Sequence, residues 1–254
     1  MRPDSPTPGV NHVLLTACLC ALSVTMLGQG LTLTVDDPRP LASAIAKLED
    51  RFGWVVTYED PRYRYALDSQ DVTEAVRRTS QPGQSRVLVP RGGPFSFVEP
   101  SAIRSSLAQE REVLDSLLEQ YAATGYPGKF ALIRTASAFH VVPTASKNAR
   151  GAFESYRSIL DSRIAQTAGA RTALEAVEAL ATQLGLEVGR MPMPMFRQMR
   201  LNQEAANDTG RNLLLGILKT SDRPLSWRVL CPPGDLPCVL NVRMVGQPLQ
   251  GREP

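Results

Sequence analysis

Histidine is almost missing from this chain: among 254 residues only His12 and His140 carry an imidazole. A Ser-His-Asp or Cys-His engine needs a histidine as its base, and His12 falls in a leader-like N-terminus. That leaves His140 alone in the apolar run Phe139-His140-Val141-Val142, where the spacing predicts a solvent-facing or core-satisfied side chain. Ser137 is close in sequence, but proximity in a hairpin is no triad. Multi-histidine metal sites are excluded. Charge of one sign is also lacking: 28 basic residues face 25 acidic ones, for a net charge of +3. The two signs alternate along the chain instead of collecting on one face, which argues against a nucleic-acid partner. Beyond the N-terminus no apolar run approaches the roughly 20 residues that a spanning helix needs, so no integral membrane segment is expected.

Cysteine is scarce as well, with four in all. Residues 13–27 form an apolar stretch broken only by small or weakly polar residues such as Thr16, Ser23 and Thr25. Followed by Gly28-Gln29-Gly30, it reads as a signal peptide over 1–30, with Leu31 the expected mature start. A lipoprotein signal is the rival, because Leu15-Thr16-Ala17-Cys18 fits a lipobox and would anchor the protein through Cys18. Either way the protein is expected to be exported, to the periplasm or beyond. Cys18 and Cys20 lie in the signal, leaving Cys231 and Cys238 around Pro-Pro-Gly-Asp-Leu-Pro, a turn sequence between two apparent strands. The spacing predicts a disulfide that staples a hairpin, worth roughly 2.5 kcal/mol by the entropy of loop closure. A redox or zinc pair expects Cys-x-x-Cys and further ligands.

What is present is a pattern written twice, about 130 residues apart. Leu41, Ile45, Leu48 and Phe52 mark one face of a helix that runs into Gly53-Trp54-Val55-Val56. Ala173, Val177, Leu180 and Leu184 do the same before Gly185-Leu186-Glu187-Val188. The glycines suit the left-handed position that ends a helix. Further on, Val113, Leu114, Leu117 and Leu118 share their spacing with Leu213, Leu214, Ile217 and Leu218. Each of these helices leads to an aromatic-led strand, Phe130-Ala131-Leu132-Ile133 or Trp227-Arg228-Val229-Leu230. The periodicity predicts an α+β protein of two tandem modules, each βαββαβ with a last strand appended, two helices over one face of a small mixed sheet. The boundaries expected are a module over 31–143, a polar linker over 144–151, a second module over 152–246 and a flexible tail over 247–254. Strands are also expected over 158–166 and 197–203, and a helix cap at Asn207 or Asp208.

The residues Leu31-Thr32-Leu33-Thr34-Val35, then Pro40-Leu41, Ala44-Ile45, Leu48, Gly53 and Val55-Val56-Thr57-Tyr58 resemble the secretin and TonB short N-terminal (STN) domain. The second half looks like a more diverged copy. The resemblance implies a periplasmic interaction domain that handles protein contacts and carries no catalytic residues. The run of barrel strands or the secretin that such a domain precedes in its family is not seen after it here.

Glu49-Asp50 and Glu59-Asp60 are carboxylate pairs, but adjacency is not the cleft-spanning arrangement that acid–base catalysis needs. Glu49 and Asp50 are expected on a wet helix face, and Asp60 before Pro61 at a turn. Arg91-Gly92-Gly93-Pro94 lacks the Lys-Ser/Thr and helix of a phosphate loop. Met191-Pro192-Met193-Pro194-Met195, with Met199 beyond, offers thioethers that suit Cu(I), yet no cysteine or histidine adjoins to complete a site. The prolines predict a stiff extended segment, in which alternate methionines need not share a face, and core or interface packing is the expected use. The expectation is therefore a non-enzymatic docking protein without metal or cofactor, whose partner is an envelope protein or peptide. Its candidate surface is Trp54, Tyr58, Met191, Met193, Met195 and Met199. An envelope enzyme with an unfamiliar site and a Met-rich copper binder are the alternatives.

Overall fold

The computed structural model describes residues 31–76, 86–99, 107–166, 169–201 and 206–246. The expected signal peptide with Cys18, the loop at 81–84 and the C-terminal tail lie outside the described residues. The chain is α+β, as the periodicity predicts. Its first half runs β1 (Leu31–Asp37), α1 (Pro40–Phe52), β2 (Val56–Glu59), β3 (Ser69–Asp71), α2 (Thr73–Val76), β4 (Leu88–Pro90) and β5 (Gly93–Glu99). It continues through α3 (Leu107–Ala122), β6 (Lys129–Arg134), β7 (Phe139–Lys147) and β8 (Phe153–Ser155). The second half runs β9 (Arg163–Gln166), α4 (Ala173–Leu184), β10 (Leu186–Val188), α5 (Met193–Gln198) and β11 (Ala206–Thr209). Then come α6 (Gly210–Leu218), β12 (Leu225–Leu230) and β13 (Cys238–Met244).

The helices end where the sequence says they should. Gly53 closes α1 at φ 71° and Gly185 closes α4 at φ 64°, a left-handed turn that glycine takes without a Cβ penalty. At the other end of α4, Thr172 and Glu175 form a reciprocal capping box. α6 is capped by Thr209, whose hydroxyl accepts from Asn212 N–H. Asn207 and Asp208, the residues expected to cap it, belong to β11, and Asp208 instead accepts from the Asn212 side-chain amide.

Strand pairing repeats between the halves. β1 pairs antiparallel with β5, and β9 with β11. β2 runs parallel to β7, and β10 parallel to β13. β6 is antiparallel to β7, and β12 to β13. In the first half, α1 and α3 lie between the β1–β5 ribbon and the sheet, and all three layers share one core. Leu33, Phe97, Ile45, Leu114, Val56 and Val141 meet there.

The halves do not stand apart. β12 of the second runs parallel beside β2 of the first, producing one seven-stranded sheet in the order β10-β13-β12-β2-β7-β6, with β8 on β7. The segment 144–151 is likewise no linker: Thr144–Lys147 continue β7, and the chain turns back so that β8 pairs with Ala145, Ser146 and Lys147. Thr144, Ser146 and Lys147 look polar in sequence, which is why the stretch mimics a boundary, but in the fold Lys147 is half-buried and pairs with Asp68 at 2.8 Å. Two other strands are shorter or absent. Ile159–Asp161 is a 3-10 turn ahead of β9, and the stretch expected as a strand from 197 holds the end of α5 and an isolated bridge from Arg200 to Thr172.

Register fixes which face each half uses. Parallel partners point to the same side of a sheet, so Val229 and its partner Glu59 share a face. Val229 and Trp227 belong to the core under α4 and α6, whereas Val56 and Tyr58, on the opposite parity, belong to the core over α1 and α3. The two helix layers therefore cover opposite faces of the common sheet. The face of β2 that the sequence pattern left open is covered by the other half.

Candidate docking edges

The joint between β12 and β2 is built by side chains that cross it. Glu59, on β2, accepts from Arg211 of α6 at 2.9 and 3.1 Å, and from Ser158. Arg211 also holds Asp161. In the opposite direction, Arg228 of β12 reaches under α1, donating to Ala42 O at 2.6 Å and to Glu49 Oε2 at 2.5 Å. Arg243 of β13 adds contacts to Glu49 and Asp50. Burial raises the pKa of both Glu49 and Glu59 above the usual carboxylate range, and the opposing arginines Arg228 and Arg211 limit the rise. Glu49 is thus not on a wet face. It lies four residues after Ile45, so the helical period that fixes the apolar stripe also carries Glu49 onto its margin.

Asp60 is the second node. Its carboxylate is fully buried and accepts from Tyr58 OH at 2.8 Å, Tyr63 OH at 2.9 Å, Arg39 Nε at 2.6 Å and Cys231 N–H at 2.9 Å. Arg39 also donates to Cys231 O, so one acid ties β2, the start of α1 and the end of β12 together. Cys231 and Cys238 are disulfide-bonded with Cα atoms 4.1 Å apart, closing the β12–β13 hairpin beside this node. Burial, then the charge of Asp60, pushes the Tyr58 and Tyr63 hydroxyls well above their ordinary pKa. Asp60 before Pro61 gave only a turn signal; its role as a buried acceptor has no local signature.

His140 sits in the same layer, with no exposed surface. Its ring stacks on Trp227 at 5.2 Å, another contact across the joint. Thr135 Oγ1 donates to Ala138 O, so it accepts from His140 Nε2–H at 3.1 Å, while Thr57 donates to Nδ1 at 2.7 Å. Burial, then the nearby charge of Arg211, pushes the imidazole down to about 4. Between that value and the ordinary 6.5, the unfolded chain binds a proton that the folded chain refuses. Stability attributable to His140 is therefore present above pH 6.5 and is lost as pH falls towards 4, by about 3 kcal/mol in total. Glu110 acts in the opposite sense: burial, opposed by Arg134, raises it to about 7, so its contribution is lost as pH rises. In a Glu110→Gln background, urea titrations from pH 7 to 4.5 should show a steeper loss for His140 than for His140→Gln. Equal slopes would remove the assignment.

The residues expected to form a partner surface are placed otherwise. Trp54 and Tyr58 are buried in the first core, at 8% and 2% exposure: Tyr58 lies on β2, a central strand of the sheet, and Trp54 precedes that strand and stacks on Phe52. Met191, Met193, Met195 and Met199 are half-buried against the second core. The Met-Pro segment is not extended: Pro192 and Pro194 start α5 from its first turn, where proline's missing N–H costs nothing.

What remains open is at the ends of the sheet. Among the described residues no strand pairs with the outer side of β6 or of β10. Thr135 N–H bonds Ala138 O, and Phe139 N–H turns away to Val55 O. By antiparallel alternation, Ile133 and Ala131 bond β7, while the backbone groups of Leu132 and Arg134 point outward. Ile133 is 40% exposed on this strand, and Lys129 and Arg134 flank it. Comparison of the chain with protein-family models, with curated proteins and with solved structures found no match.

Proposed function

We propose that this is an exported docking protein of the cell envelope, without a catalytic site, that takes an extended segment of a partner protein along the open edge of β6. The observation that carries the reading is the β12–β2 joint. There, a strand from one half already completes the sheet of the other, and β6 occupies in its half the position of β12. Strand addition supplies affinity through main-chain hydrogen bonds and specificity through side chains at the edge. The disulfide and the signal-like N-terminus support an oxidising compartment. The strand, helix, glycine and strand order that carries the STN resemblance occurs in both halves, which supports a pair of interaction units.

The test is position-specific. A photo-crosslinking residue at Ile133, installed in cells, is expected to trap one discrete partner that the same residue at Leu236, an exposed turn position, does not trap. Identical products from both positions would reject the edge. Turnover of a substrate by the purified protein in an unbiased hydrolase screen would reject the non-enzymatic reading.

A further inference from the structure

The internal joint specifies what the β6 edge would accept. The capping glycines Gly53 and Gly185 are 132 residues apart, and Val56 and Val188 stand at the same offset. Val56 pairs with Phe139, which pairs with Arg134. Val188 pairs with Leu240, which pairs with Val229. Arg134 thus holds the place of Val229, whose carbonyl accepts from Asp60 N–H at 2.8 Å and whose register partner is Glu59. The helices correspond too: Val113, Leu114 and Leu117 are buried as Leu213, Leu214 and Ile217 are, which sets Arg111 where Arg211 stands. In the joint, Arg211 binds the carboxylate of Glu59. At the open edge, Arg111 and Arg134 occupy the positions around that carboxylate, both exposed, with Arg111 held one turn on by Asp115 at 3.2 Å.

On the strength of the docking reading above, we infer that β6 receives a parallel strand of the pattern apolar-x-apolar-acid, its carboxylate held between Arg134 and Arg111. Val56-Thr57-Tyr58-Glu59 is that pattern in this chain. A second copy of the chain is not the occupant. At the same offset of 132, its own edge presents Met191 in place of Glu59 and Pro192 in place of Asp60, so both the carboxylate and the amide donor are missing. Antiparallel self-pairing of β6 about its centre is also disfavoured, because it sets Lys129 opposite the other copy's Arg134. The acids that face the two arginines from α3 are Glu110 and Asp115. Glu110, held near 7 by burial, is largely neutral in mildly acidic solution and leaves Arg134 to an incoming carboxylate.

A synthetic peptide with the sequence of residues 54–60 is the probe, added in millimolar excess to the full mature protein. Backbone amide exchange at Leu132 and Arg134 should slow, and the E59Q peptide should bind about fivefold more weakly. In the Arg111→Ala/Arg134→Ala protein, both peptides should bind alike; these side chains are exposed, and an unchanged thermal melt will show that the fold is kept. Equal affinity of the two peptides for the unaltered protein would overturn the acid-selective clamp while leaving strand addition standing. No protection at Leu132 and Arg134, or protection confined to β10, would overturn both.

Discussion

Asp60→Ala is expected to destabilise the protein by about 4 kcal/mol, the largest effect of any single substitution on the β2 strand and its exit. Four donors converge on this carboxylate, and Arg39 has a further acceptor in Cys231 O at 2.9 Å. Removing it leaves two buried phenol hydroxyls, the Cys231 amide and the Arg39 guanidinium to be satisfied elsewhere. Each orphaned neutral donor costs about 1–3 kcal/mol, and the arginine more. Tyr58→Phe and Tyr63→Phe delete one donor each and leave the acid with its other partners. Their cost should stay near 1 kcal/mol apiece. Urea midpoints at constant slope will rank the three variants. Asp60→Ala no worse than Tyr63→Phe would mean that water replaces the node without loss.

The second large effect lies across the joint. Arg211→Met should cost about 3–5 kcal/mol near neutral pH, because Glu59 is then left charged and buried beside Ser158 alone. Glu59 already titrates above the usual carboxylate range through burial, and loss of Arg211 raises it further. A raised acid gains its folded-state proton as pH falls, so the folded variant recovers stability relative to the native protein on the acid side. The gap between Arg211→Met and the native chain should therefore be widest at pH 8 and narrower at pH 5. Pairing it with Glu59→Met in a double-substitution cycle isolates the interaction, since removing both charges should restore most of the loss. A gap that does not change with pH would show that Arg211 acts by packing.

Much of the fold was legible because it rests on local rules. The apolar stripe through Leu41, Ile45 and Leu48, the left-handed glycines Gly53 and Gly185, and the Cys231–Cys238 turn each declare themselves within a dozen residues. The repeat itself follows from matching two such stripes. What could not be read was how the copies meet. Nothing near Trp227 or Thr57 announces that their strands will share one sheet, since parallel pairing is set by contacts some 170 residues apart. That one pairing buries Glu59 against Arg211 and His140 against Trp227, while Tyr58 is buried by the helices of its own half. Glu49 was within reach of the helical period, but acidic type outweighed position. The methionines misled in another way: alternating prolines suggested an extended run, whereas at Pro192 and Pro194 the same residue starts a helix.

The opposite facing of the two helix layers has a geometric consequence. Strand order is kept from one half to the next, while strand direction and covered face both reverse. Their relation is a half rotation about a line in the sheet plane combined with a step along it. Such an operation never returns to its origin, so it generates an endless ribbon and not a ring. At residue 192 the sequence departs from that operation: an imino acid stands where Asp60 of the first unit offers its amide to Val229 O.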